Sequence, residues 1–556
     1  MTPKERESWI ARYANKYHAW HTTTLNGKKV YQRPLGLVEW SFDTDGVEYG
    51  GRADMNALLA LEIRHSLSKE DYRRRIALAW ANLRLQHVML QSKVYEDKET
   101  GRRNFVVELH GSQEDVVEEA LRSIVWVEDS YPSVDAYELH RHSLNVGRII
   151  DPSLCLSRLH VLPLDPLPNG NFLCRFLVVM AHQISDGLSA YNWFRHFFHI
   201  LNMPAAETER EIKFFRSAEN IASRLPPAQE DLYPPISGNK ARQRWFWAVL
   251  RVLRHVRKTL PRTFINPLRR EERLLEAVSF PPTFSKVFDY SADHKPPMNS
   301  FHCVTSLSKP ASQRLIDICR SINVSVGAGC FALAGISMME MEERLHPSTS
   351  NAERRPFSAS FPLNPRTFFG YTAPADSCML SFSDGIVLPF LPSSFPMESR
   401  FRLIASQANR QLRVYQKRLK SAEVNISLEP YSPGRLLANG YLFQIERGSY
   451  PANIGQFGAT CGVSSVGSTA SFFRPGLYGL SDVGAVRGKD FAADFRSLKM
   501  CVRARENEFL VGSSTDHDGT VSFSVSYDGN AISEEAAEAW AEKIRSLLEV
   551  GERPRL

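Results

Sequence analysis

The segment Phe172-Leu173-Cys174-Arg175-Phe176-Leu177-Val178-Val179-Met180-Ala181-His182-Gln183-Ile184-Ser185-Asp186-Gly187 decides how this chain is read. Residues 172–180 are almost continuously apolar, as a strand covered on both faces requires. Beyond Gly187, Leu188, Tyr191, Phe198 and Leu201 recur at helical spacing, with Arg195 alone interrupting the apolar series. The order is strand, loop, helix, and His182 stands where the strand ends. An imidazole with an ordinary pKa of about 6.5 can take a proton from a hydroxyl or amine as that group attacks a carbonyl. Asp186 can turn back to hold the loop, and so reads as a positioning residue rather than a second catalyst. Gly187 lets the backbone approach closely where the helix starts.

Upstream, Ser68 and Asp71 resemble a capping box, and Tyr72, Ile76, Ala79, Trp80 and Leu83 then share one helical face. A short strand over 105–109 and a helix over 114–121 follow. Downstream, Pro226, Pro227, Pro234 and Pro235 mark a linker. Residues 240–270 then hold ten Lys or Arg and no Asp or Glu. Within that stretch Phe246, Val249, Leu250, Leu253 and Val256 predict an apolar helix face opposite a basic one. A second unit is expected near Ser300, with a strand at 304–307 and an apolar helix over 325–343. Near the end of the chain, Val521, Phe523, Val525 and Tyr527 alternate with Ser522, Ser524 and Ser526. Asp528-Gly529 turns the chain into a helix capped by Ser533 that places Ala537, Trp540, Ala541, Ile544, Leu547 and Leu548 together.

Composition bounds the function. With 556 residues, 43% of them hydrophobic and 23% charged, the chain is long enough for two cores around one cleft. A net charge of +7 is small for this length and, outside 240–270, evenly spread, which argues against nucleic acid as a partner. Residues 1–21 lack the apolar core of a signal peptide, and no apolar run is long enough to span a bilayer, so a cytoplasmic location is expected. The eight cysteines show no paired short spacing, so buried free thiols are expected, with no zinc site and no disulfide framework. His196 and His199 have no carboxylate cluster beside them and read as core or surface residues.

His182, Asp186 and Gly187 match the His-x-x-x-Asp-Gly motif, and on it the chain resembles the chloramphenicol acetyltransferase-like superfamily, which includes condensation domains, BAHD acyltransferases and fungal trichothecene 15-O-acetyltransferase-type enzymes. Further segments agree in order along residues 60–550. Gln86-His87-Val88-Met89-Leu90 resembles the end of the family's opening helix without its usual proline, and Phe361-Pro362-Leu363-Asn364-Pro365-Arg366 resembles its Pro-Val-Asn-Leu-Arg-Pro region. Ala452-Asn453-Ile454-Gly455 resembles its Ser-Asn-Leu-Gly strand with alanine in place of serine. The BAHD segment Asp-Phe-Gly-Trp-Gly is missing, the nearest strings being Tyr478-Gly479-Leu480-Ser481-Asp482 and Ala493-Asp494-Phe495-Arg496, and this turns the resemblance towards the fungal secondary-metabolite enzymes.

The resemblance implies an α/β fold of mixed sheets: two chloramphenicol acetyltransferase-like domains, 1–230 and 296–556, joined by a basic crossover at 231–295 and forming a tunnel at their interface. It implies His182 as the catalytic base in mid-tunnel, Asp186 paired with Arg366 as support, Asn453 or the Gly455 amide as oxyanion or substrate contacts, and no metal. A reading of Asn364 and Arg366 as a mere strand end, and of Asn453 as a turn residue, stays open beside it. The implied reaction is O-acylation of a hydroxyl on a hydrophobic small molecule, with acyl-CoA, above all acetyl-CoA, as co-substrate and no bound cofactor. Transfer from a carrier-protein thioester to an amine or hydroxyl is the alternative, with a repurposed or non-catalytic binding member of the fold beyond it. A monomer is expected, and contact of the basic helix (243–260) with a membrane surface is a lesser expectation than its role as a crossover.

Overall fold

The apolar run before His182 forms the strand Phe172–Met180, central in a mixed sheet ordered Phe491–Val502, Met55–His65, Phe172–Met180, Ser157–Val161, Ile124–Trp126, with Asp165–Pro166 paired to the start of the central strand. Pairs are antiparallel except the last, Ile124–Trp126 against Ser157–Val161. Such a strand needs apolar cover on both faces. One cover is the helix Lys69–Gln86, which buries Tyr72, Ile76, Ala79, Trp80 and Leu83 and is capped by Ser68 Oγ accepting from the Asp71 amide at 3.1 Å. The helix Gly187–Leu201 packs beside it, and Trp80 meets Phe197 edge to face at 5.9 Å. The computed structural model that shows this describes residues 9–257, 262–291, 298–383, 385–416, 432–447, 460–480 and 489–549.

A second six-stranded sheet is ordered Ser300–Ser306, Val521–Asp528, Phe509–Thr515, Cys461–Ser468, Phe357–Ser360, Ile386–Leu388. The alternation read at 521–527 is present: Val521, Phe523, Val525 and Tyr527 are buried in a core shared with the helices Val326–Leu345 and Glu534–Ser546. Ser522, Ser524 and Ser526 look the other way, into a cavity. Polar alternation therefore marks a cavity wall here rather than a solvent face.

Two further elements matter for the site. A four-stranded antiparallel sheet, His21–Leu25, Lys28–Pro34, Arg102–Glu108 and Lys93–Asp97, receives the strand expected at 105–109. The strand Phe491–Val502 leaves the sequence neighbourhood of the second sheet and pairs along Met55–His65 in the first, from Phe491 opposite His65 to Val502 opposite Met55.

The basic stretch forms the helix Lys240–Arg257, and its buried side keeps Phe246 and Leu250 of the expected face, takes in Trp247 and leaves out Val256. Phe246, Trp247 and Leu250 are buried, whereas Val256 is 62% exposed. The reason is aromatic: Trp247 lies 5.0 Å from Trp9, 5.1 Å from Tyr13 and 6.0 Å from Tyr441, and these rings recruit the face containing Trp247. Among the described residues no single helix is long and apolar enough to cross a membrane.

Candidate active site

Asp186 shapes the loop after the central strand. Its Oδ1 accepts from the Ser189 amide at 3.0 Å while Ser189 Oγ accepts from the Asp186 amide at 2.8 Å, a reciprocal cap that starts the helix Gly187–Leu201. Its other oxygen, Oδ2, accepts from Arg366 Nη2 at 2.7 Å and from the Met379 amide at 3.0 Å. Arg366 in turn donates to the Ser377 carbonyl at 2.5 Å, and its amide donates to Asn364 Oδ1 at 3.1 Å. Asp186 and Arg366 are 2% and 5% exposed, so this is a buried pair whose spare hydrogen-bonding capacity is largely used. Gly187 does not have to be glycine for space, since an added Cβ would meet only Val466 Cγ1 at 3.7 Å. It does border the cavity beside His182, where any side chain would take up room.

His182 is half-buried and lines a cavity of about 570 Å³ between the two sheets. Its ring stacks flat on Phe42, centroids 3.9 Å apart and planes parallel. Nδ1 is buried with no hydrogen-bond partner among the described residues. Burial pushes the imidazole below its ordinary pKa, and the nearby Arg505 guanidinium lowers it further against the opposing pull of its own carbonyl and Asp186. The net effect favours the neutral imidazole over the charged one.

The residues that fix this ring were not singled out in the sequence. Phe42 lies on the helix Leu37–Glu48, which also carries Asp43 and Asp45. Gln183, next to His182, donates to Asp43 Oδ1 at 3.0 Å, and Arg103 holds the other Asp43 oxygen at 2.6 Å. Arg505 donates to Asp45 Oδ2 through Nη2 at 2.8 Å, and Arg52 holds the other Asp45 oxygen. Burial raises the Asp45 pKa, but Arg505 and Arg52 outweigh it and hold the carboxyl below its usual range. The signal available in the sequence was only the density of acidic residues, Glu39, Asp43, Asp45 and Glu48, among the apolar positions of residues 37–48.

The remaining sequence candidates divide. Asn453 and Gly455 lie outside the described residues. His196 and His199 belong to a separate polar chain: His87 bridges Asp376 (Nδ1 to Oδ1, 2.5 Å) and His196 (Nε2 to Nδ1, 2.8 Å), and His199 meets Tyr478. All eight cysteines are buried and unbridged.

No protein-family model matches the sequence, and no curated protein matches it either. Solved structures do. A trichothecene 15-O-acetyltransferase from Fusarium sporotrichioides superposes with a TM-score of 0.64 at 12% identity, covering 96% of this chain and 97% of that one. The condensation domain of the monacolin K polyketide synthase superposes with a TM-score of 0.52 at 10% identity, covering 93% and 96%. Polyketide synthase associated protein 5 from Mycobacterium tuberculosis superposes at 0.50 with 15% identity, covering 93% and 97%. At these identities the likeness is one of architecture, so this chain has the mixed α/β fold seen in that acetyltransferase and that condensation domain.

Proposed function

We propose that the protein is an acyl-CoA-dependent O-acyltransferase, with acetyl-CoA as its foremost donor, acting on a hydroxyl of a hydrophobic secondary metabolite of fungal type. The observation that carries this is a neutral imidazole at the end of a buried strand, lining a cavity between two sheets and fixed by a buried ion pair behind it. In this reading the chain forms two domains, 1–230 and 296–556 with the crossover 231–295 between them, the second lending the strand Phe491–Val502 to the sheet of the first. The cavity is the middle of a tunnel entered by donor and acceptor from opposite faces. The fold shared with a trichothecene 15-O-acetyltransferase supports it.

His182 takes the proton from the acceptor hydroxyl, and the oxygen attacks the thioester carbonyl to give a tetrahedral oxyanion. Collapse breaks the carbon–sulfur bond, and the imidazolium returns the proton to the departing thiolate, so an ester and a thiol leave and the base is regenerated. A donor aimed at the oxyanion is worth about 3–4 kcal/mol in acyl-transfer sites; Asn453 or the Gly455 amide is the assignment. Asp186 and Arg366 position the loop and make no contact with substrate. The chain works as a cytoplasmic monomer with no bound cofactor, and its basic helix serves as a crossover, a reading its buried aromatic face supports.

The test is thiol release from acetyl-CoA and longer acyl-CoAs, with a metabolite extract as acceptor source, in wild type and His182→Ala. Release that needs both extract and His182 is expected. A variant within tenfold of wild type, about 1.4 kcal/mol, overturns the assignment of His182. Absence of release from every CoA donor directs the reading to a carrier-protein thioester instead.

A further inference from the structure

At a second place on the interface between the sheets, ligating side chains converge from three distant parts of the sequence. His140, on the helix Ala136–Ser143, is fully buried, and neither ring nitrogen has a hydrogen bond of normal geometry among the described residues, although the Asn56 carbonyl is near enough to favour its protonated form. His302, on Ser300–Ser306, shares a strand face with Val304 and Ser306, which border the cavity. Cys501, on Phe491–Val502, is buried and also borders it. The two imidazole rings are 5.0 Å apart, and one ligand atom from each of the three residues lies within 4.8 Å of the others.

We propose that His140, His302 and Cys501 bind a thiophilic d-block cation, with zinc as the reference ion, tying the first sheet to the second at this point of the cavity. In a tetrahedral site with bonds of about 2.0–2.1 Å to nitrogen and 2.3 Å to sulfur, ligand atoms sit about 3.3–3.6 Å apart, so modest side-chain rotations close the present spacing. The fourth position faces the cavity and takes water. Binding displaces the Cys501 proton to solvent, leaving a thiolate, and the two imidazoles coordinate in their neutral form.

The Cys501 sulfur selects the ion, since a thiolate favours zinc-type cations over hard ones, and it also offsets the positive charges nearby. Lys499 and Arg141 both act on the His302 imidazole. Lys499 is engaged with the Tyr137 hydroxyl at 2.7 Å and Arg141 with Glu534 at 2.5 Å. A divalent ion arriving with a thiolate adds a single net charge beside them, which a hard cation on neutral ligands alone would not achieve. Sequence spacing hides the site because its ligands share no short motif, unlike sites whose ligands lie a few residues apart.

The test uses the full chain, stripped with chelator and titrated with cobalt(II), then with zinc(II). One equivalent of cobalt with tetrahedral visible bands and a thiolate charge-transfer band is expected, displaced by zinc. Cys501→Ser abolishes the charge-transfer band although the other seven cysteines remain, and His302→Gln weakens binding about tenfold or more. Both variants are compared by circular dichroism so that loss of fold is seen separately. Zinc raises the melting temperature of wild type and leaves that of Cys501→Ser unmoved. Failure of wild type to take up stoichiometric metal at micromolar concentration, or a thiolate band that survives Cys501→Ser, overturns the proposal.

Discussion

The His182 loop and the His140–His302–Cys501 cluster each contain an imidazole with an orphaned nitrogen beside the same cavity, yet they are built in opposite ways. Around His182 every support lies behind or beside the ring: Phe42 flat against it, Gln183 tied to Asp43, Asp186 tied to Arg366. Nδ1 has no hydrogen-bond partner among the described residues, and the ring borders the cavity. Around His140 the facing groups, His302 and Cys501, are themselves ligand types. An unpartnered imidazole nitrogen thus speaks for proton transfer where a reactant has room beside it, and for coordination where other donors already crowd it.

The largest expected effect breaks the first half of that comparison. His182→Ala lowers the chemical step by about 10³–10⁴-fold, read as single-turnover thiol release, with the melting curve little changed. Next comes the support behind the ring. Arg366→Ala leaves the Asp186 carboxylate buried and unpaired and costs about 3–5 kcal/mol of stability, read by urea unfolding. The Asp186→Asn and Arg366→Gln pair shows a smaller combined loss than the sum of its singles, a double-mutant coupling that two independent residues would not give. Phe42→Leu keeps an apolar side chain but removes the parallel ring, worth about 0.5–1.5 kcal/mol. Its activity falls roughly threefold to tenfold, and a change confined to KM would sink the idea that the stack orients His182.

The smallest effect sharpens the electrostatic part. Arg505 disfavours the imidazolium, so Arg505→Gln raises the His182 pKa. The catalytic base is then protonated at higher pH, and the acid limb of the pH–rate profile moves upward while the rate on the plateau above it stays within a few-fold, about 1 kcal/mol or less. An acid limb that moves downward, or not at all, removes Arg505 from the account.

What the sequence made legible follows chain continuity. The strand, the loop with His182 and Asp186, and the helix after it are consecutive, so periodicity and a short motif place them together. Arg366 could be named only through resemblance, and it lies 2.7 Å from Asp186. Phe42 and Arg505 are ordinary aromatic and basic residues on segments far from the motif, and only folding brings them to it. The basic helix shows the same limit: its polar and apolar positions were readable, but which apolar stripe is buried depends on Trp9, Tyr13 and Tyr441, none of them local. The edge strand Phe491–Val502 has ordinary strand character and nothing in it announces that it joins the sheet begun at Met55.

That strand has a consequence for how the protein is made. Synthesis at about 5–20 residues per second puts roughly 20–90 s between the appearance of Met55–His65 and that of its outer partner. Throughout that interval a long apolar strand presents an open edge to its surroundings, the arrangement most prone to pairing with another nascent chain. The sheet begun at Met55 therefore waits for more than four hundred further residues to be made before its outer edge is covered, and an early stop in synthesis anywhere in that span leaves the edge open.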